Sequence, residues 1–202
     1  MNHQFWGIVL AAGKGTRMKS DLPKVLHQIA GKPILYYPIK ALLDNGAQGV
    51  VVVVGHGAED VVRFLNDAFP GRIEIAIQKE QKGTGHAVQC GLGAITDKNS
   101  SVVVLYGDMP LVEPGAVAAL LEDESSKFSL SLLSTLSTEP FGYGRMIRSK
   151  AGSIVEVREE RDCNPEEATI NEINPEFILR LLRFLAVHLQ TLKATMLKVS
   201  YC

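Results

Sequence analysis

Apolar residues fall first into short unbroken runs along this chain, and only later into looser patterns. Residues 5–10 (FWGIVL), 49–55 (GVVVVVG) and 101–108 (SVVVLYGD) hold almost no polar position. That is the pattern of strands buried on both faces, as the central strands of a parallel sheet are. Residues 72–78 (RIEIAIQ) predict a further strand. Between these runs, 33–46, 58–69, 83–95 and 114–124 have helical spacing. The first of these stops at Asn45-Gly46, a helix C-terminal signal, and carries Pro38, which a helix tolerates only in its first turns. The strand–helix rhythm with short connections predicts an α/β, Rossmann-like fold: a mostly parallel sheet with helices on both faces. After residue 125 the rhythm changes. Residues 127–135, 144–149 and 152–157 read as strands in hairpin order, so a small mixed β extension over the mouth of the sheet is expected.

Composition narrows the classes. With 21 Lys+Arg against 22 Asp+Glu in 202 residues, the net charge of −1 argues against a dedicated nucleic-acid binder. No apolar run reaches the roughly 18 residues of a membrane span, and the start has no basic n-region, so neither a membrane segment nor a signal peptide is expected. Cys90, Cys163 and Cys202 are odd in number and far apart, which suggests neither a disulfide framework nor a zinc site. A cytoplasmic protein is expected. The charge is uneven: every acidic residue lies at or before Glu176, and beyond it only Arg180, Arg183, Lys193 and Lys198 are charged. That shift marks a boundary near residue 175.

In an open α/β sheet, ligands bind beyond the carboxyl ends of the strands. The first such loop is LAAGKGTRM, 10–18, followed by LPK. Gly13 and Gly15 allow close backbone approach, and Lys14, Arg17 and Lys24 supply positive charge, a combination that suits a triphosphate. The loop is neither a Walker A sequence nor GxGxxG, which argues against a dehydrogenase. The bland alternative is an exposed basic turn. In YGDMPL, Asp108 ends a buried strand, where it either holds Mg²⁺ or simply forms a turn and caps the next helix. In QKEQKGTGHAV, 78–88, Gln78 has both donor and acceptor for a pyrimidine edge, and Gly83-Thr84 opens a helix that can present N–H groups. His86, His27 and His56 read as structural histidines, because no two share metal-ligand spacing. FGYGRM (141–146), EERDC (159–163) and INEIN (170–174) bring glycines, carboxylates and Asn174 that suit sugar hydroxyls and an acetamido group. By composition alone they equally suit turns and a solvated acidic face.

Taken in order, LAAGKGTRM, LPK, GTGHA, YGD followed by PL, GYGR, ERD and EIN resemble the nucleotidyltransferase family with a GxGTRxxxxxPK signature. Within it the chain is similar, from about residue 5 to Asn174, to the uridylyltransferase domains of bacterial bifunctional UDP-N-acetylglucosamine pyrophosphorylase/glucosamine-1-phosphate N-acetyltransferases. The resemblance implies the nucleotide-diphospho-sugar transferase fold. It also implies a reaction: UTP and N-acetylglucosamine 1-phosphate give UDP-N-acetylglucosamine and pyrophosphate, with Mg²⁺, for peptidoglycan and lipopolysaccharide precursors. Leu10, Ala11, Ala12 and Gly13 would line the uridine and phosphate site, and Lys24 would hold phosphate. Gln78, Gly83 and Thr84 would read uracil. Tyr106, Gly107 and Asp108 would meet nucleotide and metal, with Asp108 the metal ligand. Gly144, Glu159 and Asn174 would hold the sugar, with Glu160 as alternative to Glu159. Arg17, Lys24 and Asp108 would carry the catalytic charge work.

The pattern breaks after EIN. The family continues with Asn-x-Gly, whereas Asn174 here is followed by Pro175 and Glu176. The leucine-rich remainder reads either as an amphipathic helix or, the reading preferred, as a tail translated out of the family's frame. The family's second metal ligand and its trimer-forming acetyltransferase β-helix have no counterpart in this sequence. A nucleotidyltransferase domain is therefore expected over 1–174, incomplete at its C-terminal side. An off-family tail is expected over 175–202, with no family trimer and with UTP binding accompanied by weak or no turnover. The rival readings are another sugar or alditol nucleotidyltransferase, of cytidylyl or molybdopterin guanylyl type, and a non-catalytic nucleotide-binding module.

Overall fold

The computed structural model of the chain describes residues 4–13, 18, 20, 22–55, 58–97, 100–122, 130–174 and 179–181. In chain order the strands are β1 (Phe5–Ala11), β2 (Gln28–Ile29), β3 (Lys32–Pro33), β4 (Val50–Gly55), β5 (Ile73–Gln78), β6 (Ser101–Tyr106), β7 (Leu130–Leu132), β8 (Thr135–Leu136), β9 (Gly144–Arg148), β10 (Ile154–Arg158), β11 (Glu172–Asn174) and β12 (Leu179–Leu181). The helices are α1 (Tyr36–Asp44), α2 (Glu59–Ala68), α3 (Thr84–Ala94), α4 (Pro114–Glu122) and the single turn α5 (Pro165–Ala168).

The main sheet runs β5-β4-β1-β6-β12-β7. Its first four strands are parallel. The apolar runs dictate this. Along β4, Val50, Val52 and Val54 point to one face and Val51 and Val53 to the other, all buried. In β1, Val9 and Ala11 join the first face while Ile8 and Leu10 join the second. Helices α1, α2 and α4 seal the first face through residues such as Leu42, Leu65 and Val117, and α3 seals the second through Ala87 and Val88. Pro38 is the third residue of α1, in the first turn, where no intrahelical N–H is lost.

The region after residue 125 departs in detail from the expectation. The expected strand over 127–135 is divided: β7 joins the main sheet and β8 joins a second sheet ordered β10-β9-β11-β8. The expected β9–β10 hairpin is present, and EIN adds β11 between β9 and β8. In the apolar tail, the backbone of 179–181 is a strand rather than a helix, antiparallel to both β6 and β7. The physical reason is the open outer edge of β6, whose backbone N–H and C=O groups require partners. The rest of the tail lies outside the described residues.

Two local features support this frame. Immediately after β6, the Gly107 N–H donates to the Leu10 carbonyl at 2.8 Å. A Cβ there would stand 3.0 Å from that oxygen and 3.1 Å from Leu35 Cδ1, so a larger residue would crowd the turn against β1. In the second sheet, Arg148 grips both carboxylate oxygens of Glu172 at 2.7 Å, and Ser134 donates to the same carboxylate. The Arg148 hydrogen bond holds the Glu172 carboxyl below its ordinary value.

Gly107→Ala is expected to lower unfolding stability by about 1–3 kcal/mol through overpacking; an unchanged urea midpoint would show slack in the floor. For Glu172, the lowered folded-state value means its stabilisation is present above the ordinary carboxylate range and is lost as pH falls through the folded value. Glu172→Gln should therefore be less stable than the parent at neutral pH and lose less on acidification. Parallel stability curves for the two proteins would refute that.

Candidate active-site cleft

The strand ends of β1, β5 and β6 open together into a cleft of about 680 Å³. Its lining is Leu10, Ala11, Ala12, Gly13, Met18, Lys24, Val25, Gln78, Gln81, Gly83, Thr84, Ala87, Tyr106 and Asp108. Strand polarity explains the gathering: parallel strands all deliver their following loops to the same side.

Lys24 opens a short 3-10 turn whose next two residues, Val25 and Leu26, are buried and anchor it. Asp108 sits two residues beyond β6. The two meet as an ion pair, Lys24 Nζ to Asp108 Oδ2 at 2.6 Å, with side chains 41% and 27% exposed. At that exposure such a pair contributes at most about 1 kcal/mol, so it yields readily to a better partner.

The neutral groups come from the β5–α3 connection. Gln78 ends β5 only 4% exposed. Its Nε2 donates to the Gly83 carbonyl at 3.1 Å and lies 3.1 Å from His86 Nδ1. Gly83 caps α3 with φ +94°, a left-handed conformation that favours glycine. Gln81 Nε2 donates to the Ala12 carbonyl at 2.6 Å, clasping this connection to the loop after β1. Thr84 Oγ1 and Tyr106 OH are 3.3 Å apart.

Gly144, Glu159 and Asn174 are not in the cleft lining; Gly144 and Asn174 belong to the second sheet and Glu159 follows its strand β10. Gly144 and Asn174 are paired across β9 and β11. Asn174 is 7% exposed, and among the described residues neither of its side-chain polar atoms has a hydrogen-bond partner. Glu159 is exposed just after β10. Both oxygens of its neighbour Glu160 have protein partners: Oε1 pairs with the buried Arg145 at 3.1 Å, and Oε2 accepts the Gly142 N–H at 2.6 Å. Gly107 lies just behind the lining, in the floor. Arg17, with Lys14, lies outside the described residues.

Sequence reasoning missed Gln81 as part of the wall, although a second amide in the same glycine-bounded loop was the available signal. His86, read as a structural histidine, is half-buried and lies 3.1 Å from Gln78 Nε2. Among the described residues no cluster of three metal-ligating side chains exists, and Asp108 is the one carboxylate in the cleft lining. No helix among them is long and apolar enough to cross a membrane.

The family model for the MobA-like NTP transferase domain matches residues 7–161. A relative from Sorangium cellulosum, "Bifunctional protein GlmU", is 40% identical over 183 residues, covering 88% of this chain and 39% of the relative. The protein of that name from Pelobacter propionicus is 45% identical over 168 residues, 83% and 36% of the two chains. This chain thus spans about two-fifths of the length of the curated relatives it matches. Among solved structures, the inositol-1-phosphate CTP transferase from T. maritima superposes with a TM-score of 0.74 at 17% identity, over 96% of this chain and 77% of that one. That likeness establishes a shared fold.

Proposed function

Because this chain belongs to the MobA-like NTP transferase domain family, we propose that its cleft binds UTP and passes the uridylyl group to N-acetylglucosamine 1-phosphate, giving UDP-N-acetylglucosamine and pyrophosphate. The observation that carries this reading is the convergence of Lys24, Asp108 and a set of neutral hydrogen-bonding groups in a single cleft at the strand ends. The likeness to the bifunctional relatives over most of the chain supports the choice of substrates.

No nucleophilic side chain is needed. A phosphate oxygen of the sugar phosphate attacks the α-phosphorus of UTP in line, and the bond to pyrophosphate breaks. The protein's contribution is positioning and charge. Lys24 exchanges Asp108 for phosphate oxygens, and Arg17 adds a guanidinium to the same anion. Asp108 fits Mg²⁺, which typically takes one or two carboxylates with phosphates and waters; when bound, the ion supplies neutralisation of the triphosphate oxygens. Leu10 to Gly13 and Tyr106 to Asp108 bound the nucleotide, and Gln78, Gly83 and Thr84 face its base. The Asn174 amide, which has no partner among the described residues, is assigned to the sugar together with Gly144 and Glu159, because a buried amide left unpaired is costly unless a ligand completes it. The domain is assigned to 1–174. Pro175-Glu176 in place of Asn-x-Gly supports binding with weak turnover. Nucleotide-level substrates and free thiols at Cys90 and Cys163 fit a cytoplasmic setting.

Titration calorimetry with Mg²⁺ should detect UTP binding, and Asp108→Ala should weaken it about tenfold with the fold intact; equal affinity would remove Asp108 from the assignment. Robust pyrophosphate release by the parent chain would refute weak turnover. The two adjacent glutamates should separate cleanly. Glu160→Gln should lower the melting temperature, whereas Glu159→Gln should leave it unchanged and weaken UDP-N-acetylglucosamine binding. The reverse outcome would exchange their roles.

A further inference from the structure

A glutamine amide has two faces. Turned one way it offers its ligand a carbonyl, turned the other an N–H. At a pyrimidine edge these suit different bases, since uracil and thymine present N3–H while cytosine presents N3 as an acceptor. An amide free to turn discriminates little between them.

Gln78 is not free to turn. Its Nε2 lies 3.1 Å from the Gly83 carbonyl oxygen and 3.1 Å from His86 Nδ1. A carbonyl only accepts, so the atom facing Gly83 is the amide nitrogen. Its second hydrogen then points at His86 Nδ1, which must be unprotonated to receive it. That assigns the imidazole proton to Nε2, on the side of Cys90 Sγ at 3.9 Å. Both amide hydrogens are thus used inside the protein. The Gln78 Oε1 makes no hydrogen bond among the described residues, and Gln78 lines the cleft.

We infer that His86, acting through Gln78 alongside the Gly83 carbonyl, reinforces base selectivity: the cleft presents a held carbonyl acceptor and takes nucleotides whose base carries N3–H, uracil or thymine, over cytosine. This rests on the proposal that the cleft binds a pyrimidine nucleoside triphosphate. His86 touches no substrate, so it is a positioning residue. Removing it frees one amide hydrogen and leaves the Gly83 carbonyl alone to oppose a turn of Gln78.

The test is calorimetric titration of UTP, dTTP and CTP, with Mg²⁺, into the parent chain, His86→Ala and His86→Asn. The parent should prefer UTP and dTTP to CTP. His86→Ala should cut that preference about tenfold. His86→Asn, whose Oδ1 can stand where Nδ1 stood, should restore most of it. General loosening would lower all affinities together and leave the ratio alone. A parent that binds UTP and CTP equally, or a folded His86→Ala with the parental ratio, overturns the inference but not the nucleotide site. A parent that binds none of the three overturns both. Should His86→Ala fail to fold, the nitrogen spectrum of His86 in the parent decides. An unprotonated Nδ1 in the neutral ring supports the inference, and an Nδ1–H tautomer overturns it.

Discussion

The double confinement of β1 governs the rest of the molecule. It is hydrogen-bonded in parallel on both edges, to β4 and to β6. It is also covered on both faces by apolar helices. A strand so placed cannot carry a polar side chain along its length without burying an unsatisfied group. Polar chemistry is therefore expelled to the point where the strand ends, at Ala12 and Gly13, and the same holds for β6 at Gly107 and Asp108. Parallel pairing sends both exits to one side. The cleft follows from the ladder, and the close Gly107–Leu10 contact joins its two inner walls.

Opposite charges at such a mouth need mutual compensation. Lys24 and Asp108 supply it to each other, and their partial exposure keeps the bond weak enough to exchange. A fully buried pair would have held each group too tightly, because the interior strengthens attraction and penalises separation. In the proposed reaction the same two side chains part, the lysine toward phosphate oxygens and the carboxylate toward a dication. A half-exposed site makes that exchange inexpensive.

Legibility in the sequence tracked how local each signal was. The central strands were readable because continuous valine and isoleucine runs suit no other buried element of that length. The helices were readable from spacing and from Asn45-Gly46. The second sheet was less so: β8 has two residues and β11 three, too few for any period to show. The Leu179–Leu181 strand was ambiguous for a different reason, since a leucine-rich segment suits helix or strand until an unpaired edge selects one. In the site, glycines and charged residues announced themselves by loop position. The pairing of Lys24 with Asp108 spans 84 residues, and the Gln78–His86 contact depends on how α3 leaves the turn at Gly83. Neither contact has a sequence pattern of its own.

Arg145 shows how a buried charge can divide labour between adjacent identical residues. Its side chain is 1% exposed, a position no guanidinium holds without partners. It donates to the Tyr143 carbonyl and pairs with Glu160. The second oxygen of Glu160 is then taken by the Gly142 N–H. One glutamate of the pair is thereby committed to holding the 141–145 turn through both of its oxygens. Glu159, one residue earlier and exposed, keeps its carboxylate for solvent or substrate. Two chemically equal side chains thus stand in different surroundings because the buried Arg145 of β9 pairs with only one of them.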